Sequence, residues 1–162
     1  MRPYINNLPK RSIVKSLVAN IGEENLSLFT VTGSVDCILW GVVTTVLADT
    51  GAGLTLAFFN LWDGSSEVEI TDNAGATITN LPAGSIIAKT DVATAVATLI
   101  DSTNGAITED ATYLDFRKLF NITAKVGATT TVRFSYTAAG QASGAIQFFI
   151  EYLPRSQGAS VI

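Results

Sequence analysis

Apolar and polar positions alternate with a period of two along much of this 162-residue chain, most cleanly at Thr129–Thr137. Val132, Phe134 and Tyr136 fall on one side there, and Thr131, Arg133, Ser135 and Thr137 on the other. That period puts one face of an extended strand against a core and the other in solvent. Glu67–Thr71 repeats the form, with Val68 and Ile70 set between Glu67, Glu69 and Thr71. Leu54–Trp62 is apolar almost throughout, the mark of a strand covered on both faces, and Asp63-Gly64 ends it. Further strands are predicted at Ser12–Ala19, as an edge strand, and at Ala76–Asn80, Ser85–Ala88, Phe120–Val126 and Gly144–Leu153. The last is expected in the middle of a sheet, because it is rich in Phe and has no internal proline. Across residues 90–101, Val92, Val96 and Leu99 keep helical spacing behind Asp91, which predicts a short helix or turn crossing between sheets.

Leu26–Leu47 runs 22 residues with one charge, Asp36, and is long enough to span a bilayer. Ten of those residues are Val, Ile or Thr, which favour strands, and Gly33-Ser34 interrupts the run. Asp36 would be costly in hydrocarbon, and no basic cluster flanks the segment. Two strands, Leu26–Thr32 and Val35–Leu47, are therefore expected, and no membrane span. Together the segments predict an all-β fold: an antiparallel β-sandwich, jelly-roll-like, with an extended N-terminal arm. The arm is assigned to residues 1–15 and the β-sandwich domain to residues 16–162.

Composition sharpens this picture. Charged residues make up only 15% of the chain, against about 25% in a typical soluble domain, and 20 residues are threonine. A surface so poor in charge is most simply one covered in an assembly. Net charge is −4, which offers no footprint for nucleic acid. Four of the ten basic residues (Arg2, Lys10, Arg11 and Lys15) lie in the first 15 positions, whereas Ser16 to Ala88 holds eight acids and no base. Pro3 and Pro9 keep the arm from becoming helical. Arg2, Tyr4, Ile5, Leu8, Lys10 and Arg11 are its candidate partner-binding residues, as cations and apolar anchors for an acidic neighbouring subunit. A plain solvated tail is the alternative. The opening MRPYINNLPKRS has no apolar core of a secretion signal, so no export is expected.

Candidate chemistry is sparse. Without histidine there is no Ser-His-Asp or Cys-His arrangement, and the commonest metal ligand is missing. Cys37 is expected to be a small buried side chain. No phosphate-binding or dinucleotide fingerprint occurs. Asp63, Glu67, Glu69 and Asp72 cluster in DGSSEVEITD. Glu67 and Glu69 would share a strand face about 7 Å apart, within the span of a glycosidase pair, but a solvated polar face explains them better than calcium or catalysis. Trp40 and Trp62 lie in apolar strands and are expected in the core, although exposed tryptophans would suit sugar stacking. Phe58-Phe59 and Phe148-Phe149 place one ring on each side of a strand, so each strand is expected to be buried against the core and against a neighbouring chain or sheet. No catalytic residue, cofactor or metal is expected, and the chain reads as no enzyme.

Two motifs carry a resemblance. Leu28, Phe29, Thr30, Val31, Thr32, Gly33 and Val35 form LFTVTG-x-V, and Gly144, Ile146, Phe148, Tyr152 and Pro154 form G-x-I-x-F-x-x-x-Y-x-P. Over about 120 residues the chain resembles small virion structural proteins of tailed bacteriophages. That resemblance implies a particle component assembled in the host cytoplasm. The reading it favours is a capsid decoration or cement protein, working as a homotrimer on the major capsid protein. A tail, neck or head-fibre component is the alternative within the class, and a carbohydrate-binding attachment module is the alternative outside it.

Overall fold

The computed structural model describes residues 13–22, 24–51, 53–71, 77–89, 98–100 and 119–162, with the backbone alone at 98–100. The candidate arm residues Arg2, Tyr4, Ile5, Leu8, Lys10 and Arg11 lie outside them, as does Asp72. The described residues form eleven strands and no helix. In chain order these are β1 (Ile13–Asn20), β2 (Asn25–Thr32), β3 (Ser34–Asp49), β4 (Leu54–Trp62), β5 (Glu67–Glu69), β6 (Ile86–Ala88), β7 (Thr98–Ile100), β8 (Phe120–Thr123), β9 (Thr130–Ala138), β10 (Ala142–Pro154) and β11 (Ser160–Val161).

Two antiparallel sheets result. One has the order β1-β10-β3-β6-β7, with β8 also on β3; the other has the order β11-β2-β9-β4-β5. The chain folds back on itself as a long ribbon: β1 pairs with β10 and β2 with β9, while β3 and β4 lie on the far sides of β10 and β9. Consecutive strands β1 to β4 therefore alternate between the sheets, and each must turn an apolar set inward. Val35, Cys37, Leu39 and Val43 do so from β3, and Ile146, Phe148, Ile150 and Tyr152 from β10. Phe148 joins the layers, with its ring 5.2 Å from Phe134 and 6.1 Å from Phe59 of the opposite sheet. The arrangement is sandwich-like, and β10 lies inside its sheet between β1 and β3.

The structure departs from the pattern-based elements in two places. Residues 77–80 form a turn rather than a strand: Ile78 donates to the Leu54 carbonyl and Asn80 to that of Leu47, burying Ile78 without a ladder. Thr98–Ile100 is a strand paired with β6, not helix, because partner strands outweigh weak local spacing.

Candidate functional site

The surfaces with most chemistry to offer are the outer faces of the two sheets. On β3, Asp36, Ile38, Trp40 and Val42 alternate with the core residues and turn outward. Trp40 sits opposite Phe149 of β10, and the two rings stack at 5.2 Å with 9° between their planes. Phe149 in turn pairs with Ser16 of β1, between Val14 and Val18. Those valines are 55% and 58% exposed. An apolar band thus crosses three strands of this sheet on the side away from the core.

The second sheet carries a more polar face. Phe58, Asn60 and Trp62 alternate away from the core along β4, beside Thr131, Arg133 and Ser135 of β9, with Asn60 and Ser135 themselves buried beneath their neighbours. The Arg133 guanidinium lies 4.5 Å from the Trp62 ring centre, a cation–π contact. Asn60 Nδ2 donates to Ser135 Oγ at 2.7 Å, and Ser135 Oγ donates to Asn25 Oδ1 at 2.8 Å. A bulge between Thr55 and Phe58 puts Leu56 at φ 51 with its side chain exposed. That backbone region is costly for leucine, so the register of β4 against β9 must hold it there.

Phe59 and Phe148 are fully buried, whereas Phe58 and Phe149 are half-buried on the outer faces. Trp40 and Trp62 correct the expectation of core packing: both are half-buried and lie outside the core. A signal for Trp40 was present, since it shares strand parity with Asp36, and a charged residue marks the outward side. Each indole has a contact already on one ring face, Phe149 on Trp40 and Arg133 on Trp62. The exposure of the β1 valines has no local signal, because Ile13 and Leu17, of opposite parity, are equally apolar.

Elsewhere the polar groups serve the fold. Asp63 accepts from the backbone N–H of Ser65 and Ser66 and meets Lys125 Nζ at 2.5 Å. Its carboxylate is thereby committed, and among the described residues no group of three or more Asp, Glu, Cys or His could hold a metal ion. Cys37 is buried, which pushes its thiol up to about 12, with Asp36 adding to the rise. A thiol so held is a poor nucleophile. A cleft of about 430 Å³ is lined by Gly22, Glu24 and Tyr136, but the Glu24 carboxylate there accepts the Ala138 N–H. No family model, curated protein or solved structure matches this chain.

Three aspartates tie loops or termini to strands, and acid should undo them. The Arg155 side chain pairs with Asp36 and holds its carboxyl below the usual range. Lys125 does the same for Asp63. At Asp49 burial opposes ionisation, yet backbone N–H donors from Gly51, Gly53, Ala139 and Gly140 outweigh it and lower the value. A depressed folded value means that the unfolded chain binds protons first as pH falls. The stabilisation is complete above the ordinary carboxylate value of about 4 and is lost as pH falls through the folded values. Thermal midpoints measured from pH 7 to pH 2 should drop below about pH 4. Asp49→Ala should lower the midpoint at pH 7 and flatten the profile; an unchanged profile would remove Asp49 from this account.

Proposed function

We propose that this protein is a non-enzymatic structural component of a bacteriophage virion, a capsid decoration protein that clamps neighbouring major capsid subunits. The observation that carries the reading is the outward stack of Trp40 on Phe149 within an apolar band of sheet surface. A band of that kind favours a protein neighbour over open water. The two motifs that resemble phage virion proteins also meet at their ends, where Pro154 pairs with Val35.

The fold reading that accompanies this proposal is a jelly roll. The runs β1-β10-β3-β6 and β2-β9-β4-β5, with β7, β8 and β11 added beside them, support a long hairpin rolled into two sheets, an architecture found in viral capsid and lectin domains. Clamping needs no reaction. Several modest contacts made at once by a self-associated protein add to strong attachment, and the N-terminal arm supplies one of them. A tail, neck or head-fibre position uses the same physics. The glycan-binding alternative draws on Trp40 and Trp62 lying outside the core, but the contact on one face of each indole leaves less ring for a sugar to stack on.

The test is binding of purified protein to phage particles that lack it, read by cryo-electron microscopy. Density over the joints between capsomers is expected. A variant lacking residues 1–11 should stay folded and bind more weakly. No binding to the shell, together with retention of a glycan on an array, would replace this reading with the attachment module.

A further inference from the structure

We propose that the free edge of β1 pairs antiparallel with β1 of a second copy, about a two-fold axis at Ser16. Among the described residues the sheets end on β1, β7, β11 and β5, and β8, a four-residue strand paired with β3 alone, is a further short end. Of these, β7 and β5 have three residues and β11 has two, and β5 carries Glu67 and Glu69, the charges that blunt an edge. β1 has eight residues and, among the described residues, pairs on one side only.

The backbone shows which groups are open. Ile21 donates to the Gly144 carbonyl at 2.9 Å, just beyond the β1–β10 ladder and in its register. Alternation back along the strand directs Ala19, Leu17, Lys15 and Ile13 to β10. The N–H and C=O groups of Val14, Ser16, Val18 and Asn20 therefore point to the open edge. A second β1 fits that edge only if open residues face open residues. Centring the axis on Ser16 sets Val14 against Val18 of the other copy, twice, extending the apolar band that holds Phe149 and Trp40. Lys15 then lies opposite Leu17. Centring it on Lys15 would oppose two like charges and would bring together residues already bonded to β10. Such a pair closes at two copies, so through β1 it takes the place of the threefold arrangement expected from sequence. The proposal is independent of what the protein attaches to, because it is tested in solution without particles.

Ser16→Cys in the full chain provides the test, since the native Cys37 is buried. Mild oxidation should yield a covalent dimer far faster than Val46→Cys, a control at an exposed β3 position. The amides of Val14, Ser16 and Val18 should gain exchange protection as protein concentration rises, whereas those of Lys15 and Leu17 stay protected throughout. Val18→Lys should weaken self-association about tenfold with unchanged circular dichroism. Protection of Val14, Ser16 and Val18 in a dilute monomer would overturn the proposal and assign the edge to the chain's own residues 1–12. A trimer, or any species in which Ser16→Cys cross-links no faster than the control, would overturn it too.

Discussion

Phe148→Ala is expected to destabilise the fold by about 3–5 kcal/mol, measured by urea unfolding. Phe148 is fully buried at the centre of β10 and touches Phe59 and Phe134, so it carries contact between the two sheets. Truncation removes the ring's transfer energy and leaves a cavity walled by two strands that cannot close on it. Phe149→Ala, one residue on, should cost about 1–2 kcal/mol, because that ring lies on Trp40 outside the core. If the two variants were equally destabilised, the inward and outward faces of β10 would be wrongly assigned.

Gly144→Ala should be the most damaging single-methyl change, at about 3 kcal/mol. Gly144 has φ 118 where β10 shifts register against β3, between Ser143 and Ala145. A Cβ there would sit 2.5 Å from the Val46 carbonyl oxygen and 3.0 Å from Leu47 Cα. Backbone atoms in the middle of a sheet cannot move aside as a side chain can, so strain and overlap add. Gly127→Ala is the control: its φ is 78, but nothing lies within 4 Å of the added carbon. About 1 kcal/mol is expected there, from backbone conformation alone. Equal losses at the two sites would mean that the overlap at Gly144 relaxes at no cost.

The strands themselves were legible in the chain because a strand's period is local. Leu54–Trp62 was bounded by its own apolar run and Asp63-Gly64, and β4 has those limits. The 22-residue apolar run resolved into β2 and β3 around Gly33 because β-branched content and a turn residue act within a few positions. Phe58-Phe59 and Phe148-Phe149 had to point one ring each way, for the same geometric reason. Which ring points inward depends on the opposite sheet, and no neighbour-by-neighbour rule separates Phe58 from Phe59. The outward placement of Trp40 was readable through Asp36, whereas that of Trp62 was not, since Phe58 and Asn60 send opposing signals. Tertiary structure alone decided the strand order, the conversion of Thr98–Ile100 to a strand on β6, and the pairing that sets Ser16 of β1 beside Phe149. Local sequence sets which residues share a face; only long-range pairing sets what that face meets.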